Sequence, residues 1–145
     1  MEQKLVLKDI CEFTNGKAHE QFVDEDGEYI LVTSKFIASD GNLYRRTNKQ
    51  LVPLYKDDLC MVMSDVPKGR ALAKCFLVDK DGKYSLNQRI GVFRADSRYD
   101  KRYFYYMLNR NRYFLSFDDG DSQTNLRKED ILACPVLCPA MKQQL

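Results

Sequence analysis

The sequence has little of what exported, membrane-spanning or zinc-binding proteins need. No apolar run among its 145 residues approaches the roughly 18–20 residues that cross a bilayer. The N-terminal segment, MEQKLVLKDICEF, lacks the basic-then-apolar order of a signal peptide. The five cysteines are odd in number and His19 is the single histidine, whereas a structural zinc site takes four Cys or His ligands at tight paired spacings. We therefore expect free thiols, no metal site, no membrane association and a cytoplasmic protein.

The sequence also lacks the short motifs of common catalysts. It has no G-x-S-x-G nucleophile elbow, no G-x-x-x-x-G-K-[ST] phosphate loop, no G-x-G-x-x-G loop and no visible methyltransferase cofactor motif. His19 stands in a polar stretch and is interpreted as a solvated loop residue rather than a catalytic one. Asp118, Asp119 and Asp121 flank Gly120, which is typical of a solvated turn, although a nuclease-like acid cluster is an alternative. The sequence therefore predicts a protein that is not an enzyme and takes no cofactor.

Charge is present but unevenly distributed. The net charge is −5 over residues 1–30, +3 over 31–82, +6 over 83–113 and −2 over 114–145. A basic middle between acidic ends is typical of a polyanion-binding face, and equally of an ordinary solvated surface. Charge alone therefore leaves nucleic-acid binding as one of two interpretations.

Apolar patterning predicts several short strands and one clear helix. A chain of 145 residues has the size of a single domain of roughly 100–150 residues. An extended entry with a helical turn is predicted at residues 3–13, and a short turn or helix at residues 126–132. The predicted strands span residues 29–33, 59–63, 71–78, 89–94 and 134–139. The sequence therefore predicts an α+β domain, a mixed sheet of short hairpin strands with few helices.

The clearest helix is predicted over residues 97–112. Tyr103, Phe104, Met107 and Leu108 recur at helical spacing, which predicts a buried face. Ser97 is positioned to cap the first turn.

Amide and cationic side chains concentrate in the predicted loops. Asn and Gln pair with adenine through two hydrogen bonds, and Arg and Lys suit guanine. Two of the cations follow an aromatic residue directly, in a group suited to phosphate contact. Because polar loop residues also cap turns, residue type alone leaves both roles open. The residues predicted to contact DNA are Lys35, Tyr44, Arg45, Arg46, Lys68, Arg70, Gln88, Arg89, Ser122, Gln123 and Asn125.

Five segments occur in the order found in a known family. They are LVLKDICEFTNGK, LYKDDLCMVMSDVPKGRALAKC, LNQRIGVFRAD, the helix predicted at residues 97–112, and GDSQTNLRKEDILACPVLCP. Together they cover nearly the whole chain, which resembles a target recognition domain of the specificity subunit of type I restriction-modification enzymes. The motif positions that match are Gly69, Asn87, Gln123, Asn125 and Leu126.

The resemblance implies that residues 1–145 form a single domain that reads one half of a split site in double-stranded DNA. It implies methyltransferase and restriction subunits as partners, which supply methyl transfer and cleavage, together with a second specificity half. Residues 141–145 resemble the first residues of the family's spacer helix, so the domain is expected to end at the start of that helix. The alternative is a truncated fragment of the subunit that acts as a protein-interaction or assembly module.

Overall fold

A computed structural model describes residues 5–136 of the chain. Within this range the chain forms eleven short strands, four short α-helices and two single 3₁₀ turns, and six of the strands, from residue 45 to residue 95, follow one another without a helix. The strands are β1 (Leu5–Val6), β2 (Cys11–Asn15), β3 (Tyr29–Val32), β4 (Arg45–Thr47), β5 (Leu59–Val62), β6 (Ser64–Asp65), β7 (Cys75–Leu77), β8 (Tyr84–Leu86), β9 (Ile90–Ala95), β10 (Thr124–Asn125) and β11 (Pro135–Val136). The helices are α1 (Ser34–Ala38), α2 (Lys101–Leu108), α3 (Arg112–Leu115) and α4 (Lys128–Leu132). The predicted α+β class is confirmed.

The larger sheet has four antiparallel strands in the order β2-β9-β5-β7. The two central strands are covered on both faces, and all four residues of β5 are buried. Strands in that position read as unbroken apolar runs rather than as alternating patterns. Gly91 in β9 lies against the ring of Phe13, and a Cβ at that position would overlap the ring. Glycine therefore lets the two neighbouring strands approach with the aromatic side chain between them.

The second sheet has three strands in the order β4-β3-β8. β3 pairs antiparallel with β4 but parallel with β8, with Ile30 opposite Tyr84. A parallel pair cannot be closed by a tight turn. The strands are therefore not joined by hairpins alone, which is a difference from the predicted arrangement. Two short antiparallel pairs, β1 with β11 and β6 with β10, complete the strand pairing of the described residues.

Alternate residues of the central strands face two separate hydrophobic cores. Leu59 and Met61 belong to a core that includes Phe104 of α2 and Phe114 of α3. Cys60 lies in the second core, which includes the apolar residues of the smaller sheet and of α1. The period-two alternation of a strand thus places one β5 side chain toward the helices and the next toward the second sheet.

The predicted long helix is shorter than expected and begins later. Asp100, not Ser97, caps α2, because its carboxylate accepts the N–H of Tyr103 at 2.8 Å. Phe104 and Leu108 are buried as predicted, whereas Tyr103 is 36% exposed and lies at the edge of the helix face. An aspartate is as good an N-cap as a serine, so sequence alone does not separate the two positions.

The same helix is interrupted after Leu108. The side-chain carbonyl of Asn109 accepts the N–H of Cys75 at 2.8 Å, and the N–H of Arg110 donates to the carbonyl of Ala73 at 2.8 Å. Arg110 adopts a φ of 55°, which ends the helical path. The prediction of one helix over residues 97–112 is therefore wrong, because bonds to the loop before β7 replace the helical bonds at this point.

The bounds of two predicted strands, at residues 71–78 and 134–139, are also revised. The strand predicted over residues 71–78 is confined to β7, since residues 71–74 form turns around the bonds just described. The predicted edge strand at 134–139 is found as β11 within the described range, which leaves out residues 137–139 and the predicted start of a spacer helix at 141–145.

His19 is not the solvated loop residue that the sequence suggested. It is fully buried, with Nδ1 2.6 Å from the carbonyl oxygen of Lys17 and Nε2 2.7 Å from Oγ of Ser85. We assign Nδ1–H as the donor to the Lys17 carbonyl. The Ser85 hydroxyl also donates to the carbonyl of Val52 at 3.3 Å. Ser85 Oγ in turn accepts the N–H of Val52 at 3.1 Å. Each ring nitrogen has a partner, so the histidine ties the segment after β2 to Ser85 of β8, which in turn bonds the segment at Val52.

The four described cysteines are free thiols, as predicted. Burial raises the pKa of Cys11 to about 12 and that of Cys134 to about 11. Burial also raises the pKa of Cys60 and Cys75. The thiols therefore act as small apolar side chains.

Candidate nucleic-acid interface

The strands of both sheets end at a common edge. β2 and β5 end at Asn15 and Val62, on the side where β9 begins. β3 and β8 end side by side at Val32 and Leu86. The N–H of Lys17, just beyond β2, donates to the carbonyl of Leu86 at 3.2 Å and joins the two sheets there. We call this side of the molecule the loop edge.

Three loops that the sequence marked as polar meet at the loop edge. Met63 links them, because its N–H donates to the carbonyl of Arg89 at 3.0 Å and its carbonyl accepts the N–H of Leu126 at 2.7 Å. The pairing of β6 with β10, with Thr124 opposite Asp65, also joins the closing loop to the start of the cationic loop. The loops are the cationic loop (residues 66–70), the central loop (residues 87–89) and the closing loop (residues 118–125). Segments distant in sequence are thereby held in one place by backbone bonds.

The cationic loop folds around the carboxylate of Asp65. Oδ1 accepts the N–H of Val66 at 2.8 Å, and Oδ2 accepts those of Ala71 and Leu72 at 2.9 and 3.2 Å. Gly69 closes over the same carboxylate, and a Cβ at Gly69 would overlap it. This motif position therefore shapes the loop by leaving room for the carboxylate.

Two predicted DNA-contacting cations have left-handed backbone conformations. Lys68 has a φ of 59° and Arg89 a φ of 70°. A non-glycine residue in this region costs about 1–2 kcal/mol, so the surroundings must fix it. The N–H of Lys68 donates to Oδ2 of Asp118 at 2.8 Å, and the carbonyl of Arg89 accepts from Met63. Both cations are thus held in place by bonds from another segment.

The aromatic and cationic group at residues 44–46 runs from the loop edge along β4 toward the start of β3. β4 begins at Arg45, opposite Leu31 near the end of β3. The Arg46 guanidinium lies 5.5 Å from the ring centroid of Tyr44, and its Nη1 donates to the carbonyl of Gly27 at 3.4 Å. These side chains, together with Val23 and Glu25, line an open cavity of about 400 Å³. The ring of Tyr44 is half exposed and leaves the cation beside solvent.

Lys35 lies in the first turn of α1, just beyond the end of β3. α1 follows directly on β3, and Oγ1 of Thr33 caps it by accepting the N–H of Phe36 at 3.0 Å. Lys35 is exposed. The short helix therefore places one more cation at the loop edge.

The cations of the loop edge lack carboxylate partners within residues 5–136. None of the six has an oxygen of Asp or Glu within 4.0 Å, while the ion pairs of this range involve other cations. Five of the six are exposed, and Arg46 is half-buried. The six are Lys35, Arg45, Arg46, Lys68, Arg70 and Arg89. Their charge is available to a polyanion at this surface.

The predicted amide and hydroxyl residues differ in whether their side chains are taken up by bonds that form the loop. Gln88, Gln123 and Asn125 are exposed, and Nε2 of Gln123 donates to Oδ1 of Asn125 at 3.3 Å. The hydroxyl of Ser122 instead donates to Oδ2 of Asp119 at 2.9 Å and serves the closing loop itself. The exposed amides can reach a ligand, whereas Ser122 is engaged in the turn.

Of the other motif positions, two are structural. Leu126 is 5% exposed and belongs to the core under the helices. Asn87 donates its N–H to the carbonyl of Val32 at 3.1 Å, which links β8 to β3.

The acids of the closing loop form its turns. Oδ1 of Asp119 accepts the N–H groups of Asp121 and Ser122, and these bonds hold the pKa of Asp119 below its usual range. Oδ1 of Asp118 accepts the N–H of Gly120 at 2.8 Å. Within residues 5–136, no three His, Cys, Asp or Glu side chains are grouped so that they could hold a metal ion. Turn formation accounts for the acids that the nuclease alternative would need.

Sequence reasoning missed Asp65 and the bridging role of Asp118. Both carboxylates bind backbone N–H groups of the cationic loop, Asp118 from a position 50 residues away. The only signal in the sequence is Gly69, whose lack of a side chain indicates close packing without naming the partner.

Comparison with known proteins gives this geometry a context. The sequence profile of one family, the type I restriction modification DNA specificity domain, matches residues 3–145. The fold is similar to that of the S subunit of a type I restriction-modification system from M. genitalium, with a TM-score of 0.71, 15% identity, and coverage of 99% of this chain and 36% of that one. It is also similar to the HsdS subunit from Thermoanaerobacter tengcongensis, with a TM-score of 0.70, 11% identity, and coverage of 99% and 34%. A third similar chain, with a TM-score of 0.74, 11% identity and coverage of 99% and 35%, comes from a structural study of complex assembly and conformational transition in the type I R-M system.

The chain belongs to the type I restriction modification DNA specificity domain family. It spans about a third of the length of the solved subunits that it resembles. No curated protein matches the sequence. Among residues 5–136, no helix has both the length and the apolar character needed to cross a membrane. The resemblance predicted from the five sequence segments is confirmed.

Proposed function

We propose that this chain recognises a short base sequence in double-stranded DNA through its loop edge and reads one half of a bipartite target. The observation that carries the proposal is that six cations without carboxylate partners among the described residues lie at the loop edge and along the adjoining β4, together with exposed amides. Cations at such a surface neutralise phosphates and release counterions, and amides and guanidinium groups read base edges in the major groove. Family membership supports the same function.

The edge divides into two groups of side chains with different roles. The group around Tyr44, with Arg45, Arg46 and Lys35, lies on the second sheet and is suited to phosphate contact, which positions the protein without reading sequence. The cationic, central and closing loops meet at Met63 and carry both cations and amides. We assign base reading to these three loops, through the side chains of Lys68, Arg70, Gln88, Arg89, Gln123 and Asn125.

Methylation and cleavage belong, in this proposal, to partner methyltransferase and restriction subunits in the cytoplasm. The family is one of DNA specificity, and the chain is only about a third as long as the similar solved subunits. A second specificity half would read the other half of the target. Linking two half-sites raises the effective concentration of each, so the isolated domain is expected to bind more weakly than the assembly.

A selection experiment tests the proposal. A random duplex pool is bound at two salt concentrations and the retained DNA is sequenced. We expect one enriched motif, and a slope of log K against log salt of about −4 to −5 if roughly five phosphates are contacted.

Arg45→Ala separates phosphate contact from base reading. It is expected to weaken binding equally on all sequences and to make the salt slope shallower by about 0.9. Lys80→Ala is the matched control, because Lys80 is an exposed cation in the turn between β7 and β8, at the opposite edge of the sheets. An equal effect of the two variants would contradict DNA contact at the loop edge.

The alternative, a fragment that acts as an assembly module, predicts a different result. Absence of an enriched motif together with absence of salt dependence contradicts DNA reading. Retention of the methyltransferase subunit in a pull-down under the same conditions would then favour the assembly module.

A further inference from the structure

The carboxylate of Asp118 bridges two loops of the loop edge. Oδ2 accepts the N–H of Lys68 in the cationic loop at 2.8 Å, and Oδ1 accepts the N–H of Gly120 in its own closing loop at 2.8 Å. The side chain is half-buried. One carboxylate thus fixes the separation of two segments that come from different parts of the chain.

The backbone conformation of Lys68, the residue bonded to Asp118, needs to be held by other parts of the chain. Lys68 has a φ of 59°, which a lysine rarely adopts unless something holds it there. Its side chain passes over Gly120, since a Cβ at that glycine would lie 3.3 Å from Cε of Lys68. The bond from Asp118 joins the turn bond between Gly69 N–H and the Val66 carbonyl in holding Lys68 in this conformation.

The two ends of the cationic loop are anchored separately from Lys68. Asp65 ties the start of the loop to its end through Ala71 and Leu72, and β6, which contains Asp65, pairs with β10. Arg110 reinforces the same end, because its Nη1 donates to the carbonyl of Leu72 at 2.8 Å. The bond from Asp118 therefore positions the middle of the loop, at Lys68, relative to the closing loop.

We propose that Asp118 is a positioning residue for base readout: it contacts no DNA but sets the spacing between the cations of the cationic loop and the amides Gln123 and Asn125. This inference rests on the proposed function. The charge of Asp118 alone would weaken binding to a polyanion, because carboxylate and phosphate repel each other. Removal of that charge should therefore raise or preserve the overall affinity while the preference among sequences falls, a combination that loss of folding does not produce.

Asp118→Asn is the test, with Asp121→Asn as its matched control. An amide has one acceptor oxygen, so the new side chain at position 118 can keep only one of the two N–H bonds and presents an N–H₂ group to the other donor. Asp121 lies in the same loop and carries the same charge, but among the described residues its side chain makes no bond to the cationic loop. The two variants differ in the bridge and not in charge.

The readout is the ratio of affinities for the selected duplex and for duplexes with single base-pair changes. This ratio, measured within one preparation, does not depend on the fraction of folded protein. Since one base contact contributes about 5- to 150-fold to discrimination, we expect Asp118→Asn to reduce the ratio at least about fivefold at one or more positions. Asp121→Asn should retain the wild-type ratios.

A Lys68→Gly background gives a second, independent measurement. Glycine adopts positive φ without help, so the loop no longer depends on the bond for its backbone conformation. The effect of Asp118→Asn on the affinity ratios is expected to shrink in this background. An effect of the same size in both backgrounds would overturn the link through Lys68.

The outcomes separate the inference from the function on which it rests. Wild-type ratios in Asp118→Asn, or equal changes in Asp118→Asn and Asp121→Asn, overturn the positioning role and leave DNA reading intact. A wild-type chain without any preference among duplexes overturns the proposed function itself.

Discussion

Gly69→Ala should destabilise the cationic loop through a single contact. The added methyl group would overlap the Asp65 carboxylate, which is not free to move because three backbone N–H groups donate to it. Two of these bonds, from Ala71 and Leu72, are partly buried. A bond to a charged group contributes about 1.5–3 kcal/mol, and water replaces part of it when the loop opens. We therefore expect the free energy of unfolding to fall by about 2–4 kcal/mol.

Urea denaturation of a double-mutant cycle checks this reasoning. Asp65→Ala removes the same bonds and is expected to cost a similar amount. Once the carboxylate is absent, the methyl group of Gly69→Ala has nothing to displace, so the double variant should be about as stable as Asp65→Ala alone. Distant, independent changes add to within about 0.5 kcal/mol. Additivity of these two changes would refute the proposed contact.

Three further predictions concern other parts of the molecule. Arg89→Gly should leave the melting temperature unchanged or raise it, because glycine relieves the φ of 70°, while it weakens DNA binding; a lower melting temperature with unchanged binding would contradict this. Phe104→Ala should cost about 3–5 kcal/mol in urea denaturation because the ring is 2% exposed, whereas Tyr106→Ala, at a residue 75% exposed, should stay within about 0.5 kcal/mol. Since burial raises the pKa of Cys11 to about 12 and of Cys134 to about 11, their alkylation at pH 8, followed by peptide mass spectrometry, should be roughly 200-fold slower or more in the native than in the denatured protein. Equal labelling in the two states would show that these thiols are not buried.

The central strands of the larger sheet, β5 and β9, can be predicted because their local pattern and their environment agree, whereas β2 lies where the sequence predicted an extended entry with a helical turn. Residues 59–62 form an unbroken apolar run, and the structure covers this strand on both faces. The helix at 97–112 is shorter than its sequence predicts because Asn109 and Arg110 bind the loop before β7. No property of the helical sequence itself encodes that competition.

The residue types of the candidate site can be predicted from the sequence, but the way in which they come together on one surface cannot. Lys68, Arg89 and Asn125 lie in three separate loops, and only the bonds through Met63 show that the loops meet. His19 shows the same limit, since its burial depends on Ser85, a residue 66 positions away. Local patterns predict elements, whereas the contacts between distant segments depend on strand register, which one sequence does not reveal.

The parallel pairing of β3 with β8 has a consequence for how the protein forms. Ile30 pairs with Tyr84 across a long intervening segment, and pairing of this kind is slow because a long loop must close first. β10 comes later still, and it pairs with β6 to bring the closing loop to its place. During synthesis, therefore, the cations in the first hundred residues are made before the closing loop against which the cationic loop is positioned. The loop edge is complete only when nearly the whole domain has left the ribosome.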